Sequence, residues 1–286
     1  MKYWFIHQHS SEQPVTVMCR ILKVSRSGYH AYNRDGQSKR QQENQFLLKH
    51  IKNAYDSGRG TYGSPRITKE LAALGIKCSR SRVARLMKKH GIMAKTKRKF
   101  KITTRSSKSR RAWANLVRRN FSAPAPNRLW CSDITYLWTP EGWMYLAIIL
   151  DVFSRMIIGW ACRATLSKEL VIDAFKYAVA RRKPEPGLVF HSDCGVQYTS
   201  SEFGSLVQQA GAIQSMSDGG SYDNAICETV FHTIKCEMVY LDDFQSRDEA
   251  RMKLFDYIEV FYNRKRRHSS LGYMSPLEFE KSKKLS

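Results

Sequence analysis

Three strand-length apolar runs follow one another at residues 129–137, 143–152 and 156–163, with only short breaks between them. The first break is Thr139-Pro140-Glu141-Gly142, a turn sequence. Connections this short join antiparallel neighbours, because a parallel pair needs a crossover of a dozen or more residues. The second half of the chain must therefore build a sheet that begins as a three-stranded meander. The periodicity then predicts a helix from Ser167 through Ala180, a strand over 187–191, a helix over 201–210, a strand over 213–216, and helices over 224–240 and 247–264. The order β-β-β-α-β-α-β-α-α predicts a mixed five-stranded sheet covered by helices.

The first half reads differently. Residues 14–22 form a short amphipathic helix, and Phe46, Leu47, His50, Ile51, Ala54 and Tyr55 recur at helical spacing. Ser64 is expected as the N-cap of a second helix with Pro65 at its first position and Gly75 as its stop. Ser79 is expected to cap a third, stopped by Gly91. Three short helices with tight turns predict a helix-turn-helix module, whose third helix sets Arg82, Arg85 and Lys89 on one face. Two prolines in Ala123-Pro124-Ala125-Pro126 mark a boundary. The expected units are an N-terminal helical segment (1–45), the helix-turn-helix domain (46–95), a basic arm (96–125) and an α/β domain with C-terminal helices (126–286).

Charge separates the same halves. The chain of 286 residues has a net charge of +23, yet residues 1–125 hold 29 basic and 5 acidic residues while 126–286 hold 19 and 20. Residues 77–119 contain 17 basic residues and no acidic one. A solvated surface would mix signs, so this block predicts a polyanion partner, DNA first. Lys97, Arg98 and Lys99 are candidate phosphate contacts within it, and Arg264, Arg266 and Arg267 form a second basic cluster. No apolar run reaches the 18 residues of a membrane span, and the N-terminal apolar stretch breaks off too soon for a signal peptide. The seven scattered cysteines contain no C-x-x-C pair. A cytoplasmic, nucleoid-associated protein without membrane contact is expected.

Three carboxylates stand out by position. Asp133 lies inside the first apolar strand, Asp193 just past the fourth, and Glu228 near the start of a helix. A carboxylate within an apolar strand is costly unless compensated, and a hard divalent cation such as Mg²⁺ or Mn²⁺ compensates it. Such a set suits phosphoryl transfer, in which two ions clamp the attacking and leaving oxygens. Lys235, seven positions after Glu228, falls on nearly the same helical face and within reach of a DNA phosphate. Glu237, nine positions on, falls on the opposite face.

The motifs Trp130-x-x-Asp133-Ile134-Thr135-Tyr136, Asp151-x-Phe153-Ser154-Arg155 and His191-Ser192-Asp193-x-Gly195-x-Gln197-Tyr198 come in this order. Ser221-x-Asp223-Asn224-Ala225-x-x-Glu228, Lys235-x-Glu237 and Tyr262-Asn263-x-x-Arg266-x-His268-x-x-Leu271 follow. With Tyr62-Gly63-Ser64-Pro65-Arg66-Ile67 upstream, the chain closely resembles the second-reading-frame product of two-frame bacterial insertion-sequence transposases, along nearly its whole length. The resemblance implies a ribonuclease-H-like core of the retroviral-integrase type. It implies that Asp133, Asp193 and Glu228 are a metal-binding catalytic triad holding two Mg²⁺ or Mn²⁺ ions. The implied activity is nicking at transposon ends and strand transfer, performed by an oligomer on terminal-repeat and target DNA, together with a first-frame partner or fused to it. Two other readings share these features: a DNA-binding regulator with a silent core, and a metal nuclease that never joins strands.

Overall fold

The computed structural model describes residues 1–33, 39–95, 113–218 and 223–284. Six helices come first: α1 (Lys2–Gln8), α2 (Val15–Ile21), α3 (Arg26–Tyr32), α4 (Lys39–Ser57), α5 (Ser64–Ala73) and α6 (Arg80–Lys89). Helices α1–α3 close a small core of their own around Ile6, Met18, Cys19 and Tyr29. Helices α4–α6 bury Leu47, Ile51, Ile67, Leu71, Val83 and Leu86 against one another, the expected apolar stripes. Ser79 caps α6, its hydroxyl accepting from Arg82 N at 3.2 Å. The cap of α5 falls one residue earlier than expected: Gly63 holds the N-cap position, and Ser64 is already helical. Gly75 and Gly91 have φ of +77° and +65°, the left-handed turn that ends each helix at low cost.

The second half is a five-stranded sheet in the order β3-β2-β1-β4-β5. β1 (Leu129–Thr139), β2 (Gly142–Asp151) and β3 (Met156–Arg163) form the antiparallel meander, and β4 (Val189–Ser192) and β5 (Ile213–Met216) add in parallel. Helix α7 (Lys168–Arg182) covers one face. It lies so close to β3 that a Cβ on Gly159 would sit 2.4 Å from the Ala174 carbonyl oxygen. Helix α8 (Ser201–Gln209) joins β4 to β5, and α9 (Ala225–Glu237) packs on the opposite face. The ribonuclease-H-like α/β architecture preceded by a small all-α helix-turn-helix region is thus present.

The final helix differs from expectation. In place of one helix over 247–264, α10 (Arg247–Phe255) runs into a π-helical stretch over Asp256–Tyr262. The wider turn buries Tyr257, Ile258, Phe261 and Tyr262 together while Glu259 reaches Trp160 and Arg181. Asn263 then bonds both backbone groups of Ile157, satisfying the free edge of β3. The chain ends in α11 (Pro276–Lys284), whose Glu280 is clasped by Arg182 and Ser154.

The two halves share one core. Tyr62, at the entry to α5, stacks near Phe261 (6.3 Å between centroids), and the stripes of α4–α6 join the cluster that includes β1 and α9. Residues 113–121, expected as part of the basic arm, lie along β5. Met216 N donates to Ala114 O (3.3 Å), Leu116 N to Ser215 Oγ (3.0 Å), and Arg119 pairs with Asp223 (2.7 Å).

Candidate active site

Parallel pairing of β1 with β4 ends at Cys131 opposite His191. Two residues further along each chain stand Asp133 and Asp193, so the register brings two carboxylates from distant sequence to one sheet end. Each is fixed by a backbone N–H: Ile134 N donates to Asp133 Oδ1 (2.8 Å) and Gly195 N to Asp193 Oδ1 (3.1 Å). Among the described residues neither forms a salt bridge. Their dense, partly closed surroundings push both carboxyls up, and Asp133 reaches about 8 because Asp193 and Glu228 add negative charge to the same space. Glu228, on the first turn of α9, is more exposed than the two aspartates.

The supporting residues explain why this corner has its shape. Asn224 occupies the N-cap position of α9. Its side chain makes no cap bond, however, and Nδ2 donates to Ser132 O (2.9 Å), tying the helix start to the strand beside Asp133. His191 is fully buried, with Nδ1 on Ser215 Oγ (2.9 Å) and Nε2 on Asp223 O (3.2 Å). Burial pushes its pKa down, so it serves as a neutral strut and not as a contact to substrate. Gly195 has no left-handed backbone. It is needed for space, since a Cβ there would meet Asp193 Oδ1 at 3.0 Å. Ser132 and Tyr198 exchange a buried hydrogen bond of 2.8 Å behind the carboxylates; the role of this pair was not legible from its motif.

Lys235 lies where its spacing predicts. Burial lowers its pKa against the pull of Asp133, and Nζ sits 5.3 Å from the centre of the Tyr136 ring. Glu237, on the far face of α9, is bound by Arg266 through both oxygens (2.7 and 2.7 Å), by Arg66 (3.1 Å) and by Tyr257 (2.9 Å). It cannot replace Glu228 as a ligand.

The second basic cluster needs correction. Arg266 is 5% exposed and committed to Glu237, and Arg267 clasps Glu70 of α5 at 2.6 and 3.0 Å. Neither guanidinium faces a phosphate. Spacing could not reveal this, because the partners lie 29 and 197 residues away. Arg264 remains exposed. On α6, Arg85 and Lys89 are exposed, whereas Arg82 is held by Asn44 and Glu43 of α4. Lys97, Arg98 and Lys99 lie outside the described residues.

Three stretches match family models: an HTH-like domain over residues 41–100, and an integrase core domain in two parts over 123–221 and 228–284. Transposase InsF for insertion sequence IS3A of Escherichia coli K12 is 39% identical over 283 residues, 98% of each chain. The chain belongs to the insertion-sequence transposases. Another relative of this transposase, from insertion sequence element IS904 of Lactococcus lactis, is 44% identical over 246 residues, 85% of this chain and 97% of that one. Among solved structures, the HTLV-2 integrase catalytic core domain in complex with magnesium is 18% identical. It covers 55% of this chain and 98% of its own, with a TM-score of 0.40. The transposase carries Asp133 and Asp193 in the first integrase-core match and Glu228 at the start of the second.

Proposed function

We propose that Asp133, Asp193 and Glu228 form the metal-binding site of a DNA transposase that nicks at transposon ends and transfers the freed 3′ strand. The observation that carries this reading is the β1–β4 register, which sets two aspartates at one sheet end with no salt bridge to either among the described residues. Hard oxygen donors that form no salt bridge among the described residues fit Mg²⁺ or Mn²⁺, two ions if the full clamp is used. When bound, the ions supply Lewis acidity to the attacking and leaving oxygens of the phosphodiester.

The chain's own groups do the rest. The Ile134 and Gly195 amides each donate to one oxygen of an aspartate, Oδ1 in both, and so hold the two carboxylates in place. The Asn224–Ser132 bond fixes the start of α9, so Glu228 is presented to the aspartates by a rigid turn. Lys235 places a cation beside the same site for the DNA backbone. Arg85, Lys89 and Arg264, exposed on the surface, hold phosphates further out, and Lys97, Arg98 and Lys99 add basic charge for DNA. The enzyme works on terminal repeats and target DNA as an oligomer in the bacterial cytoplasm, at the nucleoid, with a first-frame partner or as a fusion to it. No helix among the described residues is long and apolar enough to cross a membrane.

The test uses purified protein, labelled DNA ending in the element's terminal repeat, Mg²⁺ or Mn²⁺, and a denaturing gel. Joined strands longer than the input, absent with EDTA and in Asp193→Asn, are expected. Cut strands without joining, also from the fused two-frame protein, would make the chain a nuclease. Tight DNA binding with no metal-dependent product from either form would make it a regulator.

A further inference from the structure

The hairpin of β1 and β2 runs beyond the sheet. β4 leaves β1 after Cys131, and β3 reaches β2 only as far as Tyr145. Past those points the two strands pair only with each other. Trp138 lies opposite Trp143 and Tyr136 opposite Tyr145, so four aromatic residues share one face of the projecting ribbon. Leu137 and Met144, on the other face, are buried in the core. Tyr136, Trp138 and Trp143 are 40%, 59% and 45% exposed. Their rings meet edge to face, Trp138–Trp143 at 5.0 Å and Tyr136–Trp143 at 5.1 Å. The ribbon is anchored by its inner face, so the outer aromatics are not needed to hold it.

We infer that this face stacks unpaired nucleobases of the DNA end held in the active site. Three observations favour that occupant. Tyr136 is three residues from Asp133 on the same strand, about 10 Å away; strand alternation turns the two side chains to opposite faces, and Lys235 reaches both, so DNA at the carboxylates passes the edge of the ribbon within a few nucleotides. Lys235 bridges the two places: its ammonium stands over Tyr136 and its charge acts on Asp133, which suits a backbone phosphate between them. The area is also too small for a protein partner. Three half-exposed aromatics offer on the order of 300 Å², against roughly 800 Å² per side in a stable interface. Aromatic faces beside a cation are the usual platform for single-stranded bases. The inference rests on Asp133 belonging to the cutting site.

The test is equilibrium binding of the full chain, in EDTA so that no strand is cut. One labelled duplex carries a short unpaired tail at one end and the other is fully paired. The wild-type protein is expected to bind the tailed end about tenfold more tightly. The tail, and not paired DNA, is expected to quench tryptophan emission. Trp138→Ala with Trp143→Ala should lose the preference and the quenching while keeping the paired-duplex affinity; Trp138→Phe with Trp143→Phe should keep most of the preference. No preference in wild type, or an unchanged preference in the alanine variant, would overturn the inference. So would an alanine variant that altered only the sedimentation of the free protein, which would mark a contact between copies. Joined products without any tail preference would sink the stacking alone. A tail preference with neither cut nor joined products, also from the fused two-frame protein, would leave base stacking standing and overturn the proposed enzyme alone.

Discussion

Helix α9 carries two glutamates nine residues apart that lead opposite lives. Glu237 faces inward and is met by two arginines and a tyrosine. Burial works to raise its carboxyl, but the Arg266 bonds and charge, with Arg66 and Tyr257, outweigh it and hold the carboxyl below its ordinary value. Glu228 lies on the opposite, exposed face of α9 and adds negative charge to Asp133, which is driven upward, and neither Asp133 nor Asp193 forms a salt bridge among the described residues. The first region has its compensation built in and holds the fold together, since Glu237 and Glu70 bind arginines from across the chain. The second has only two backbone amides and the charge of Lys235 to set against its negative charge, so its carboxyls stay raised. A carboxylate's missing partner is thus a better guide to function than its burial.

The largest expected break of this contrast is Asp193→Asn. Joined and cut products should fall by roughly a thousandfold or more on a denaturing gel, the several kcal/mol that a metal clamp supplies. The same variant should fold as stably as wild type in EDTA. A variant that lost activity by unfolding would refute the division of labour. Glu237→Ala should do the reverse and lose about 3–5 kcal/mol in urea titration, because Arg266 is left buried and unpaired. Adding Arg266→Met should recover part of that loss. Its full persistence would mean that Glu237 acts elsewhere.

Smaller effects sharpen the comparison. Saturating Mg²⁺ should stabilise wild type by about 2.7 kcal/mol at a hundred times its Kd and leave Asp193→Asn unmoved in calorimetry. The pH responses should oppose one another. Glu237 and Glu280 are held below their ordinary values, so their stabilisation is present above about pH 4.3 and is lost as pH falls through their folded-state values. Asp133 is raised, so in metal-free protein it costs stability as pH climbs from about 4 toward 8. Asp133→Asn should flatten that decline in EDTA, and an unchanged profile would remove the electrostatic argument. The smallest effect separates the arginines. Arg264→Ala should change stability by less than about 0.5 kcal/mol and lower the salt slope of DNA binding by about 1. Arg267→Ala should destabilise the fold and leave that slope alone.

Much of this was legible in the sequence. Strand alternation, glycine stops and the Ser79 cap are local signals, and they marked the meander and the ends of α5 and α6, while the α5 cap lies one residue earlier and α1 and α11 were not foreseen. Asp133 stood out because an acid is out of place in an apolar strand, and Asp193 and Glu228 because motif spacing accompanied them. The readings that failed concern the partners of charged groups. Arg264 to Arg267 read as one basic cluster, yet Arg266 and Arg267 turn inward to acids on other elements. The π-helical turn was equally hidden, since its cause is the simultaneous packing of Tyr257, Phe261 and Tyr262 against the rest of the fold.

By itself the sequence determined the five strands and most of the helices, where the excess charge lies, and which acids lack a local reason to be where they are. Those properties follow from neighbours within a few residues. Tertiary structure alone decided which arginine is a strut, that the helix-turn-helix shares a core with the sheet, and that Asp133 and Asp193 meet at one sheet end. The physical reason is range: backbone preference acts along the chain, while ion pairing and burial act through space between residues the sequence leaves far apart.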